Sequence, residues 1–561
     1  QVFKKEASLS ILRDFLTLDL FVTFPQGTDE DRVLELLLKE MTRLAQDGME
    51  EGELELAKRQ LQADEVFLKE RIHYYAMEKA SRIVTLGPEA LARHLPRLKA
   101  ITREEVSRAA QRILADPKFT ASIFLPRVEG KQTGAVVPLP PEKVILENGL
   151  TLIAQEVPGS EVLAVHVLVR HRSAQEPEKK AGIAEFLHRM LPRGTKNRTA
   201  EAITKALQAM GGKLEVAGDP TTPFGDFYTS REFSYIRLEA LAVFFREALD
   251  LLQDLIINPA FPPEEIERVR AELFGLIAAR AKSPKSQGED LLYAALYQDR
   301  PFGRPVYGTE ESIRAVTSED LKAFHRAYFA PGNLIVSVVG NLPAHQVLEE
   351  LKARFGELPA QAPIQPFGSA QGRPSSPEVA PPKDPRIVRA KLGGPQASIV
   401  LGKLIRGTSE REALALEVAA SILSARLFAN LREKEGLAYS IGASVGFYEG
   451  SGLLTIQMGT APQHIERAKE GILRVLKATA EEVVPQEELD RRINALSGRS
   501  TMRRLSSINR AFYLSLAEFK GLRHSFGDDY RLLLKGLSPQ EVSEAAKKFF
   551  LGDEMVIVIV E

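Results

Sequence analysis

The chain repeats itself over a distance far too long for a solenoid, and that repeat limits the folds open to it. Ile101 to Ala110 (ITREEVSRAA) is matched by Leu537 to Ala546 (LSPQEVSEAA), with Val316 to Phe324 (VTSEDLKAF) as a looser third copy, at spacings of 215 and 221 residues. A second register agrees, because Glu53-Leu54 in EEGELELAKRQ falls 435 residues before Glu488-Leu489 in PQEELDRRINA. The repeating unit is therefore a domain of roughly 200 residues, and 561 residues exceed what one hydrophobic core supports.

Two stretches read as linkers. One runs from Pro126 to Glu142 (PRVEGKQTGAVVPLPPE); the other, from Pro359 to Pro385, carries eight prolines in 27 residues with Gly and Ser between them. Proline lacks the N–H that a central strand needs, so both are expected to be exposed and extended. The expected domains are then 1–125, a truncated unit; 143–358, a whole one; and 386–561, a final one of 176 residues. Limited proteolysis should cut first within 359–385 and leave a stable C-terminal piece of that length. Preferential cutting inside Leu392 to Leu404 or Ser451 to Met458 would show the boundary to be misplaced.

Within a unit, strands precede long helices. Lys143 to Leu146 and Leu150 to Gln155 flank the Asn148-Gly149 turn signal, which predicts antiparallel pairing. Helices follow, such as Asp29 to Leu44 with Val33, Leu36, Leu37, Met41 and Leu44 on one face, and Glu410 to Leu423 behind the capping pair Ser409 and Glu412. Helices with a single apolar stripe cover one face of a sheet, so the expected class is α+β: tandem related domains, each an antiparallel sheet with helices on one face. The first unit lacks its opening strands and helix. Leu18 to Phe24 (LDLFVTF) already reads as an interior strand, and the chain starts at Gln1 with neither Met nor a basic-then-apolar leader, so it reads as a fragment or processed piece.

Composition narrows the chemistry. Lys plus Arg number 74 against 75 for Asp plus Glu, which gives no basic surface for nucleic acid or an anionic membrane. Zero cysteines exclude thiolate catalysis and thiolate metal sites, leaving His and carboxylate as the strong ligands. Cysteine-free chains suit the cytoplasm and the bacterial periplasm equally. The longest apolar runs, Leu334 to Val339 and Met555 to Val560, are strand-sized rather than membrane spans, so a soluble chain is expected. No G-x-x-x-x-G-K-[ST] or strand-linked G-x-G-x-x-G motif points to a nucleotide.

Gly182 to Thr199 (GIAEFLHRMLPRGTKNRT) resembles the signature helix of the insulinase/pitrilysin family of zinc metallopeptidases, G-[LI]-A-H-F-L-E-H-M-L-x-x-G-T. Further matches are the Asn148-Gly149 hairpin, Tyr228 to Arg231 (YTSR), Asn258 to Phe261 (NPAF), Glu264 to Arg268 (EEIER) and, in the last unit, Leu431 to Ser440 (LREKEGLAYS). The resemblance implies a clamshell of two halves, each a pair of related α+β domains, of which this chain looks like the second, third and fourth. It also implies where zinc chemistry should sit. The two zinc histidines and the general-base Glu of the family fall on Glu185, Arg189 and His188, and the distant third ligand falls on Leu276. Arg189 would put a fixed positive charge where a cation should bind, and Leu276 has no lone pair to offer. No metal is therefore expected in this chain; zinc is expected in a missing N-terminal domain or on a partner. Glu185 and His188 at i, i+3 also match half of a carboxylate-type metal site, which needs several more carboxylates. The structural alternative makes Glu185, His188 and Arg189 a polar face opposite the core stripe Ile183, Phe186, Leu187, Met190 and Leu191.

Arg432 and Tyr439 match an Arg and a Tyr that, in the family, contact substrate across the chamber from the zinc and assist peptide-bond cleavage. Their alternative is ordinary: a member of the charge run Arg432 to Glu435 and a strand aromatic. Two functions remain open at this point. The chain is either the non-zinc portion of a metalloendopeptidase acting on peptides or small proteins, or a non-catalytic, peptide-binding subunit partnering an active zinc peptidase.

Overall fold

The computed structural model describes residues 4–11, 16–23, 28–49, 52–55, 57, 58, 61, 79, 83, 88–114, 138–218, 230–360, 386–448, 451–552 and 554–561. They fall in two compact units, Gln1–Gly134 and Ala135–Glu561. Most of both expected linkers, 126–137 and 361–385, lies outside the described residues, as do Tyr228 and Thr229.

In the first unit, β1 (Lys4–Ile11) and β2 (Leu16–Thr23) form an antiparallel pair. The strand expected from Leu18 is thus present, but Leu18 and Phe21 are exposed rather than interior. Asp29 caps the helix Glu30–Asp47 by accepting from the Arg32 N–H. Met41, Leu44 and Ala45 of its apolar face meet Ala110 and Leu114 of the helix Arg103–Leu114, while Leu36 stays exposed.

The second unit is built on two sheets with the same connectivity. The first runs β3 (Glu142–Ile145), β4 (Thr151–Glu156), β8 (Leu334–Gly340), β5 (Val162–Arg170), β7 (Phe233–Leu241), β6 (Lys213–Glu215). The second runs β9 (Arg386–Ala390), β13 (Val556–Val560), β10 (Ala397–Arg406), β12 (Ser451–Thr460), β11 (Ser440–Tyr448). Position by position, β4-β8-β5-β7-β6 corresponds to β9-β13-β10-β12-β11, which is the sequence repeat made visible. Pairing is antiparallel except for β4 with β8 and β9 with β13. The short repeated segment has a local cause. Thr102 with Glu105, Thr317 with Asp320 and Ser538 with Glu541 each exchange side-chain and backbone hydrogen bonds at a helix start.

Helices of each repeat cover one face of its own sheet, as the apolar stripes predict. The other face is covered by a helix from the other repeat. Strands β8 (LIVSVVG) and β13 (VIVIV) are buried along their whole length, so both their faces need apolar cover. Ala511, Phe512 and Leu514 of the helix Ser507–Phe519 pack on Ile153, Leu168, Ile335 and Val339 of the first sheet. Reciprocally, Leu292, Leu296 and Tyr297 of the helix Pro284–Tyr297 pack on Val400, Leu453, Val556 and Val558 of the second. Burying one such leucine is worth about 1.5–3 kcal/mol. The approach is close enough that a Cβ on Gly402 would lie 2.7 Å from the Leu292 side chain, which would have to shift to admit it. A buried polar chain fixes the register of the first exchange: Ser515 Oγ donates to Ser337 Oγ at 2.8 Å and lies 3.1 Å from His166 Nδ1.

The helix Glu410–Leu427 starts at the expected capping box, with Ser409 and Glu412 bonded reciprocally, and continues into a π-helical turn, Phe428–Lys434. Together they are long and apolar enough to cross a membrane, contrary to the expectation from the uninterrupted apolar runs, yet more than half of that apolar stretch is buried inside the protein.

Candidate functional site

The helix matching the family signature spans Ile183–Met190. Its first turn is satisfied from outside the helix. Both carboxylate oxygens of buried Glu176 accept backbone N–H groups, from Gly182 at 3.1 Å and from Ala184 at 3.1 Å. Every residue of this helix except Arg189 is buried, so the expected polar face is not a solvated one. Its members are paired internally. Glu185 Oε2 accepts from Arg172 at 2.7 Å, and Glu185 Oε1 accepts from Arg189 Nε at 3.0 Å. Arg172 also donates to the carbonyls of Ser230 and Val306, and Arg189 to that of Gly218.

His188 turns to the sheet, where Nε2 lies 2.6 Å from Ser234 Oγ, itself 2.7 Å from the Tyr328 hydroxyl. Burial, reinforced by Arg172, pushes His188 down to about 3, so it is neutral at physiological pH. Desolvation pushes Glu176 the other way, up to about 7, against the pull of Arg172 and the two amides. The signs oppose each other. The His188 contribution to stability is present above its ordinary value near 6.5 and is lost as pH falls toward 3; that of Glu176 is present below 4.5 and is lost as pH rises through 7. As pH falls from 6 to 4 the chain should therefore lose about 1 kcal/mol per pH unit more than a His188→Gln variant, measured by chemical unfolding at each pH. Parallel curves for the two proteins would sink this assignment.

These residues do not fit a zinc ion. Both Glu185 oxygens are engaged by guanidinium groups, Arg189 supplies a cation at the motif position itself, and Leu276 joins the apolar core from the helix Pro263–Ala281. Arg172 and Glu176, which complete the cluster, were not singled out from sequence. They stand on the segment after β5, at no periodic spacing from the signature helix.

The second candidate pair lies where the π-helical turn leads into β11. Leu431 and Leu437 are buried on either side of the turn, and the Leu437 N–H donates to the Leu431 carbonyl at 2.8 Å. Glu435 N–H reaches back to Asn430 at 3.0 Å, and Gly436 takes φ 65, the left-handed geometry expected of that glycine. With the two leucines anchored inward, Arg432 and Tyr439 are left outside. Tyr439 is 55% exposed, and the Arg432 guanidinium lies over the Phe428 ring, 5.0 Å from its centroid.

The two helix-backed sheets share a five-strand topology, and the first carries the helix that resembles the family's zinc helix without its ligands. Comparison with known families agrees. A model described as insulinase (peptidase family M16) matches residues 151–310, and one described as peptidase M16 inactive domain matches 315–496. The chain belongs to the insulinase family of peptidases. An uncharacterized zinc protease of Mycobacterium leprae is 28% identical over 350 residues, covering 62% of this chain and 75% of that protein. One of Bacillus subtilis is 26% identical over 418 residues, covering 74% and 96%. A protease from Helicobacter pylori shares the fold with a TM-score of 0.67 at 20% identity, covering 75% of this chain and 99% of that one. The structure described as a peptidase M16 inactive domain from Pseudomonas fluorescens gives 0.65 at 22%, covering 75% and 98%.

Proposed function

We propose that the chain is the non-zinc portion of an insulinase-type metalloendopeptidase, with the zinc carried on another domain or subunit. In this reading Arg432 and Tyr439 bind a peptide substrate and stabilise the charge that develops as its bond is cleaved. Residues 1–125, 143–358 and 386–561 would then be successive insulinase-like domains of a clamshell. The observation that carries the reading is a contrast between two motif regions. At the signature helix the ligand positions are turned inward into an ion-paired cluster, whereas Arg432 and Tyr439 stay outside on a locked turn.

The isolated chain should hold no stoichiometric zinc after chelator washing and reloading, and should hydrolyse no peptide. Metal analysis with a fluorogenic peptide assay measures both. One tightly held zinc per chain, lost on His188→Ala, would overturn the reading.

A further inference from the structure

We propose that the corner formed by the end of the helix Gln486–Arg503 and the helix Phe526–Lys535 docks on an anionic lipid surface, inserting Met502, Leu505 and Leu532. The inference stands apart from the proposed function and needs neither zinc nor cleavage. The near-neutral total of the chain, which predicts no basic surface, conceals a segregation of charge. Residues 491–535 carry ten Lys and Arg against three Asp and Glu, whereas the rest of the chain carries 64 against 72. Exposure of apolar groups is concentrated at the same place. Among the described residues six large apolar side chains are more than 60% exposed, and three of them are Met502 at 68%, Leu505 at 62% and Leu532 at 70%.

The two helix ends adjoin. Arg504, just past the first helix, lays its guanidinium over the Tyr513 ring, 4.6 Å from the centroid, and reaches the Gly527 carbonyl at the start of the second helix at 3.5 Å. The core takes Leu489, Ile493 and Leu496 from the first helix and Tyr530 and Leu534 from the second. Their outer faces are therefore left to Arg499 and Met502 and to Arg531, Leu532 and Lys535, all exposed. Among the described residues Arg499, Arg531 and Lys535 form no ion pair, so their charge is available to an anionic partner. Apolar side chains this exposed protrude rather than line a groove, and none of the three is aromatic. A protein interface draws most of its energy from aromatic and Arg anchors set in pockets. A lipid surface asks for no pocket: it takes up protruding apolar groups while its headgroups attract the cations around them.

The test uses the full chain and sedimentation with vesicles of phosphatidylcholine, alone or mixed with about 30% phosphatidylglycerol, at about 0.1 M salt. Each cation close to an anionic surface adds roughly fivefold, so the mixed vesicles should bind at least about tenfold more tightly than the neutral ones. Arg531→Gln with Lys535→Gln, and separately Leu505→Ser with Leu532→Ser, should each weaken binding to the mixed vesicles by about tenfold or more. All four side chains are exposed, and melting temperatures check that the variants stay folded. Lys205→Gln with Arg314→Gln removes two exposed cations elsewhere and should change the affinity by less than about threefold. The chain has no tryptophan, so Leu532→Trp supplies a single reporter whose emission should shift to the blue with mixed vesicles and stay unchanged with neutral ones. Equal binding to the two vesicles, or none to either, would overturn the proposal. So would an equal loss from the Lys205 and Arg314 changes, which would make the attraction one of total charge, and so would an unmoved emission maximum in bound protein, which would place the contact elsewhere. A blue shift without vesicles that grows with protein concentration and a dimer mass would give the patch to a second copy of this chain instead.

Discussion

Replacing Arg172 by methionine should destabilise the second unit by about 3–5 kcal/mol, although no ligand or substrate is expected to touch that residue. Arg172 is 2% exposed and its guanidinium meets Glu185, itself 3% exposed, together with two backbone carbonyls. Removing it leaves a buried carboxylate with Arg189 as its remaining cation and two carbonyls without their donor. Glu185→Leu should be costly too, because it leaves the buried Arg172 guanidinium without its carboxylate. The double variant Arg172→Met with Glu185→Leu should recover much of the loss, since a buried ion pair replaced by apolar groups of similar volume is often nearly neutral. Arg189→Met should cost less than either single change, because its side chain is 19% exposed and water can take part of its role. Denaturant midpoints of the four variants measure all of this. A loss under about 1 kcal/mol for Arg172→Met, or a double variant no better than the worse single one, would remove the cluster from the structural account. Zinc added during refolding should restore none of the lost stability.

That cluster marks the limit of what the sequence shows. The repeat was legible because its strongest segment encodes short-range chemistry: Thr102, Thr317 and Ser538 each cap a helix together with an acidic residue three positions on. The Asn148-Gly149 turn and the Ser409 cap were readable for the same reason. The frame of the signature helix was readable as well, and so were the positions where its ligands should stand. The fate of Glu185 was not, because its main partner lies 13 residues upstream and is brought to it only by tertiary packing. The exchange of helices between the sheets was half legible. The runs LIVSVVG and VIVIV require cover on both faces, but nothing in them says which helix supplies it. At the second site Gly436 announced its turn, whereas the π-helical backbone that precedes it has no sequence template to match.

If zinc is carried on another domain or subunit as proposed above, Tyr439→Phe and Arg432→Ala, assayed together with that zinc site, should each lower kcat by on the order of 10² to 10³ and leave stability nearly unchanged. Cleavage of a peptide bond places negative charge on the carbonyl oxygen as the carbon becomes tetrahedral. A phenol O–H or guanidinium aimed at that oxygen gains more in the transition state than with the planar ground state, so its loss appears in kcat. The geometry on this chain suits such a task. Leu431 and Leu437 pin the turn from inside, Tyr439 is tied by its N–H to Gly459 at 2.9 Å, and the side chains of Arg432 and Tyr439 remain outside the core. The stacking of Arg432 over Phe428 is an exposed cation-π contact worth only about 0.5–1 kcal/mol, so Arg432→Ala cannot owe a large kcat effect to unfolding. A loss of one oxyanion donor corresponds to about 2.7–4 kcal/mol in the barrier, several times that figure. Measuring kcat and KM on a short peptide, beside zinc content and melting temperature, separates the possibilities. Full turnover in both variants would remove the pair from the mechanism. A rise in KM with kcat unchanged would make them uniform binding residues, holding the substrate equally in the ground and transition states. Because the two donors would act on one oxygen, the double variant should fall short of the product of the single effects, and strict multiplicativity would place them on separate parts of the substrate.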